Sequence, residues 1–185
     1  MSRLRIFGSS EPTQARIETS DHAEIARHLS GIGVRFEQWQ AAEPIAPGDA
    51  PETVLAAYAP DIERLKRENG YQAVDVISLN ADHPDKAAFR KKFLDEHTHS
   101  EDEVRFFVAG SGMFTLHVDG RVYEILCEAG DLIGVPDGTQ HWFDMGPDPY
   151  FVAIRLFTNV EGWVANFTGT DIAQRFARYE KGQAI

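Results

Sequence analysis

His97-Thr98-His99-Ser100-Glu101-Asp102-Glu103-Val104-Arg105-Phe106-Phe107-Val108 is the stretch whose reading decides the fold. Side chains alternate across a β-strand with period two, so two histidines one residue apart share a face. Glu103, Arg105 and Phe107 have the same parity. If the strand resumes in register after Ser100 to Asp102, two imidazoles, a carboxylate, a guanidinium and a phenyl ring point one way. Two neutral imidazoles and a carboxylate suit a divalent first-row metal ion. A second piece lies downstream, in Gly130-Asp131-Leu132-Ile133-Gly134-Val135-Pro136-Asp137-Gly138-Thr139-Gln140-His141. Pro136 and Gly138 mark a tight turn, and closure of the sheet after that turn can place His141 opposite the first pair.

Outward from these pieces the period stays at two. Strands are predicted at 104–108, 113–118, 121–126, 131–135, 141–144 and 151–157, with Asp119-Gly120 as a hairpin turn. Short strands at this spacing predict an antiparallel sandwich or barrel of the jelly-roll kind. Upstream, strands are predicted at 4–7, 34–39 and 73–79. A helix over 21–29 has Ser20 or Asp21 as its cap and Gly31 and Gly33 at its end. A helix over 51–58 opens on Pro51. A second helical run starts at Pro60, puts Ile62 and Leu65 on one face and stops at Asn69-Gly70. A helix over 84–94 carries Phe89 and Phe93 one turn apart. These helices are expected to pack on one outer face of the barrel. Residues 171–179, capped by Thr170, are predicted to close the chain as a helix. With no repeat, low-complexity tract or linker, residues 1–185 read as a single domain, the elements of 1–94 lying against the barrel.

Bulk properties narrow the function classes. The 185 residues are 43% hydrophobic and 25% charged, ordinary for a globular domain with a full core. A formal net charge of −11 argues against nucleic acid or an anionic membrane as partner. No stretch approaches the ~20 apolar residues of a membrane helix, and the N-terminus lacks the apolar core of a signal peptide. Cys127 is the only cysteine and reads as a buried, inert thiol on a strand. The expected compartment is the cytoplasm. Against so acidic a background an anionic small molecule needs a local positive group, and Arg105 fits: an arginine facing inward is costly to bury without a partner. It can also serve as a structural ion-pair partner of Glu103. His22, His28, His83 and His117 read as structural or exposed.

The two pieces resemble the paired motifs of the cupin superfamily. His97, His99, Glu103 and Gly110 fall at the spacing of the first motif; Gly130, Pro136, Gly138 and His141 fall at that of the second. Lys91 stands where a glycine often opens the first motif and Met145 where an asparagine often closes the second, neither of them a ligand position. The resemblance narrows further: 92–99, 103–106, 136–143 and 154–157, within a match from about Tyr71 to about Trp163, are similar to the acireductone dioxygenase family. It implies a mainly β chain, a cupin-type antiparallel jelly-roll β-barrel with several flanking α-helices, with metal-binding motifs over 97–110 and 130–141.

The resemblance also implies a function. His97, His99, Glu103 and His141 would hold one Fe2+ or Ni2+ per chain. The substrates would be 1,2-dihydroxy-5-(methylthio)pent-1-en-3-one and O2, on the methionine-salvage route. Iron would give formate and 4-methylthio-2-oxobutanoate; nickel would give formate, CO and 3-(methylthio)propanoate. Arg105 would stabilise the substrate dianion, and Phe93, Phe143 and Trp163 would surround its alkylthio chain. Phe93 shares the parity of His97, and Phe143 lies two residues beyond His141, so both can point toward the metal. Glu96 and Asp102 have the opposite parity and read as solvated acids, for which the family suggests accessory roles in metal loading and in transmitting local changes. A monomer is the family's usual state. The residues leave open another cupin small-molecule dioxygenase or isomerase, and a non-catalytic metal-binding cupin.

Overall fold

The computed structural model describes residues 1–159 and 164–180. The N-terminal part contains β1 (Arg3–Gly8), β2 (Ile17–Thr19), α1 (His22–Ser30), β3 (Arg35–Gln38), α2 (Pro51–Ala57), α3 (Ala59–Asn69), β4 (Ala73–Leu79) and α4 (Lys86–Phe93). The barrel is completed by β5 (His97–Thr98), β6 (Glu103–Val118), β7 (Arg121–Glu128), β8 (Asp131–Val135), β9 (Gln140–Asp144), β10 (Tyr150–Phe157) and β11 (Asn166–Phe167), followed by α5 (Ile172–Arg175).

All strand pairings are antiparallel, and β6 belongs to two layers at once. Its first half pairs with β8 and β10, giving the order β4-β10-β6-β8-β3. Its second half pairs with β7 and β9, giving β11-β5-β9-β6-β7-β1-β2. The sequence predicts two strands here, 104–108 and 113–118, whereas the chain forms one of 16 residues. Two features let it bend between layers. The register against β10 slips between Val152 and Ala153, leaving Val108 as an extra residue, a β-bulge. Gly110 follows with φ +67°, and a Cβ there would collide with the Tyr150 carbonyl. The bulge flips parity: Phe107 faces the interior and so do Phe114 and Leu116, an odd number of residues later.

The interior between the layers is apolar, with Phe107, Phe114, Leu116, Ile125, Phe143 and Phe151 all buried. Helix α1, capped by the Asp21 carboxylate accepting from Glu24 N at 2.9 Å, adds Ile25 and Leu29 to this core. The helices do not share one outer face as expected. Helices α2 and α3 cover the outside of the first layer, where Val54, Ile62 and Leu65 meet Val104, Phe106 and Ile154. Helix α5 covers the outside of the second, where Ile172 and Ala173 meet Trp142 and Val122. This last helix is also far shorter than the predicted 171–179. At Phe176 the backbone turns extended, φ −94° and ψ 154°, and Tyr179 N then donates to the buried Asp144 carboxylate at 2.9 Å. That anchorage is incompatible with continuing the helix.

Candidate metal centre and its cavity

Sheet pairing assembles the site. His97 lies directly opposite His141 in the β5–β9 ladder, and the turn before β9 is tied to the first motif by Gly138 N donating to His99 O at 3.0 Å and Asp137 N donating to Asp102 Oδ1 at 2.8 Å. The imidazoles of His97, His99 and His141 offer ligand atoms that all lie within 4.8 Å of one another. Each Nδ1 is held by a backbone carbonyl: Asp95 O at 2.8 Å, Val164 O at 3.0 Å and Thr139 O at 2.8 Å respectively. A ring whose Nδ1–H is so engaged presents Nε2 with a free lone pair, the arrangement that orients metal-binding histidines.

Glu103 lies beside these rings. Its Oε2 is 3.4 Å from His99 Nε2 and 3.7 Å from His141 Nε2. Among the described residues, Glu103 Oε2 and His141 Nε2 are buried polar atoms with no hydrogen-bond partner. Orphaned buried acceptors are costly, and one divalent cation among these donors would satisfy both. The residues therefore fit a metal ion. The other oxygen, Oε1, accepts from Arg105 Nε at 3.0 Å and Nη2 at 2.7 Å. Burial works to raise the Glu103 carboxyl, but the Arg105 guanidinium, with His141 and His99, outweighs it and holds the group well below the usual carboxylate range. Burial, with His141 beside it, pushes His97 down to about 3, and burial lowers His99 as well. Both rings are thus neutral at physiological pH, as ligands must be.

Arg105 is 2% exposed, and its guanidinium lies against a pair of adjacent rings, Phe114 and Phe143, at 4.6 and 4.7 Å from their centroids. Its Nη1 has no partner among the described residues. Arginine and imidazoles border a cavity of ≈ 290 Å³. At this polar end stand His97, His99, Arg105, Asp75 and Arg155, the last two joined by a bond of 2.8 Å from Arg155 Nε to Asp75 Oδ1. Away from it the walls are Ile77 and Leu79 of β4 and Phe89 and Phe93 of α4.

The predicted site residues have different fates. His97, His99, Glu103, His141 and Arg105 come together. Phe93 is half-buried in the cavity wall. Phe143 sits beneath Arg105 rather than in the wall, 1% exposed, with its ring filling the space over Gly112. Trp163 lies outside the described residues. Asp102 is exposed, as expected, whereas Glu96 is 1% exposed and not a solvated acid. Its carboxylate accepts from Thr168 Oγ1 at 2.8 Å and Thr170 Oγ1 at 3.0 Å and meets His117 Nδ1 at 2.8 Å. The C-terminal segment covers it, a contact no local pattern announces. The sequence reading missed Asp75, Ile77, Leu79, Phe89 and Arg155 as cavity residues. Asp75, Ile77 and Leu79 do share a face of a predicted strand, and an acid on such a face was the available signal.

A jelly-roll barrel with three converging imidazoles and one carboxylate defines a cupin with a centre built for a divalent metal. The profile described as the ARD/ARD' family matches residues 3–165. A Stenotrophomonas maltophilia protein named acireductone dioxygenase is 61% identical over 184 residues, 100% of both chains. Another so named, from Pseudomonas aeruginosa, is 61% identical over 181 residues, 97% of this chain and 99% of that one. A solved structure of acireductone dioxygenase from Bacillus anthracis, with a cadmium ion in its active centre, superposes with a TM-score of 0.79 at 31% identity, covering 90% of this chain and 98% of that one. The chain belongs to the acireductone dioxygenase family.

Proposed function

We propose that the chain cleaves acireductone, 1,2-dihydroxy-5-(methylthio)pent-1-en-3-one, with O2 in methionine salvage, using one Fe2+ or Ni2+ held by His97, His99, Glu103 and His141. The observation that carries this reading is a pair of buried atoms without a hydrogen-bond partner among the described residues, Glu103 Oε2 and His141 Nε2, 3.7 Å apart beside His97 and His99, which border the polar end of a small-molecule cavity. When bound, the ion supplies Lewis acidity and a template for the two substrates. With iron the carbon and oxygen atoms leave as formate and 4-methylthio-2-oxobutanoate; with nickel, as formate, CO and 3-(methylthio)propanoate.

The chain's own residues supply the rest. An enediol that loses both hydroxyl protons carries two negative charges, and Arg105 presents a buried Nη1, unpartnered among the described residues, beside the imidazoles. A preorganised donor in a dry site stabilises such charge better than water does. The bonds from Arg105 to Glu103 Oε1 leave Oε2 for the ion and fix the carboxylate plane. Phe114 and Phe143 together form the aromatic surface against which the guanidinium rests, and Phe93 screens the cavity from solvent. Glu96, buried against His117 and the C-terminal threonines, holds the strand that carries His97. The chain works as a cytoplasmic monomer in this reading.

The test is to add the enediol under air to protein loaded with iron or with nickel, following loss of its ultraviolet absorbance and uptake of oxygen. Turnover with either metal, and a change of products between them, is the expected result. Binding without oxygen uptake would make the chain a non-catalytic cupin.

A further inference from the structure

The cavity is polar at one end and apolar at the other, and strand register gives its length. Asp75 pairs across β10 with Arg155, which pairs with Arg105 of β6, so this row marks the polar end. Ile77 and Leu79 follow in two-residue steps on β4, carrying the wall ~13 Å along the strand at about 3.3 Å per residue. Helix α4 forms another wall: Phe93 stands four residues before His97, and Phe89 is one turn further back, ~6 Å away at 1.5 Å per residue. The His83 ring meets the edge of Phe89 at 5.5 Å and also borders the cavity. Ser78, the remaining polar side chain on this stretch of β4, is engaged with Gly48 N at 2.9 Å. Lys92 also borders the cavity, its ammonium 5.7 Å from the Phe93 ring centroid, while the faces offered by Ile77, Leu79 and Phe89 are apolar.

We propose that Phe89, backed by Ile77 and Leu79, is the specificity-determining wall that receives the substrate's non-reacting arm and sets how long that arm can be. The inference rests on the dioxygenase reading above, because an enediolate gripped at the imidazole and guanidinium end has its arm directed toward the apolar end. The arm expected there is a thioether, since sulfur makes favourable contacts with aromatic ring edges. Phe89 stands one turn further from His97 than Phe93 does, so its effect should fall on which substrate is held rather than on the bond cleavage.

The experiment measures kcat and KM for enediol ketones with arms of increasing length, methylthio and all-carbon, on the unaltered protein, Phe89→Ala and Phe89→Trp, all loaded with the same metal. The unaltered protein should lose roughly tenfold or more in kcat/KM per methylene once the arm outgrows the cavity. Phe89→Ala should move that break to longer arms and Phe89→Trp to shorter ones, the change falling mainly on KM. Should Phe89→Ala not fold, Phe89→Leu replaces it and should still erase the preference for sulfur over carbon. An unchanged length profile in every variant, with normal turnover by the unaltered protein, would overturn the inference and leave the dioxygenase reading standing. No turnover of any arm by the unaltered, metal-loaded protein would instead overturn the dioxygenase reading itself, and this inference with it.

Discussion

Replacing Arg105 by methionine isolates the electrostatics of the centre, because the change keeps length and removes the charge. Glu103 and Arg105 are 1% and 2% exposed, so neither charge has water to fall back on. Both guanidinium bonds go to Oε1, and losing them leaves an uncompensated buried carboxylate. Breaking a buried pair from one side costs about 3–5 kcal/mol. For a chain of this size that is a fall in Tm of roughly 6–20 °C at about 2–4 °C per kcal/mol. A metal ion on Oε2 neutralises the same carboxylate, so the loss should shrink in the metal-loaded protein. Adding Glu103→Gln to Arg105→Met should restore much of the metal-free stability, since no charge is then stranded. The assay is urea and thermal unfolding, with and without metal, of the unaltered protein, Arg105→Met, Glu103→Gln and the double variant. A loss under about 1 kcal/mol, or one that ignores both the metal and the second substitution, would refute the reasoning.

The metal-free protein should weaken in acid. His97 is depressed to about 3 while an unfolded histidine titrates near 6.5, so its contribution is full above pH 6.5 and is lost as pH falls toward 3. His99 shifts in the same direction, and Glu103, also depressed, adds to the loss below the ordinary carboxylate range. Urea unfolding at stepped pH should therefore lose up to about 1.4 kcal/mol per pH unit for each such histidine; a flat profile from pH 7 to 5 would contradict the burial of these rings. Gly110→Ala places a Cβ against the Tyr150 carbonyl in a left-handed backbone region, and should destabilise by more than the ~1–3 kcal/mol typical of overpacking, checked by the same unfolding assay. Cys127 is fully buried, and burial pushes its thiol well up, so a thiol reagent should label it no faster than the chain unfolds.

The residues that meet at the candidate centre were legible because they obey local rules. His97, His99, Glu103 and Arg105 follow the period of a strand, and Pro136-Asp137-Gly138 marks the turn that delivers His141. Legibility failed where distance or exception took over. Ala109-Gly110-Ser111-Gly112 reads as a break between strands, yet those glycines are what let one strand pass close to Tyr150 and Phe143 and continue. The bulge at Val108 then invalidates simple parity beyond it. Glu96 looked solvated because the threonines that bury it lie about seventy residues downstream. The apolar wall of β4 belongs to the cavity only through pairing with β10. No short-range pattern encodes that pairing.

The measurement that bears most directly on the centre is metal content per chain by elemental analysis. It should be made on the unaltered protein and on His97→Ala, His99→Ala, Glu103→Gln and His141→Ala, each loaded with iron or nickel and freed of excess ion. The expected result is one ion per unaltered chain and a marked loss in every variant that still folds. Full occupancy in all four variants, or none in the unaltered protein, would contradict the four-residue centre.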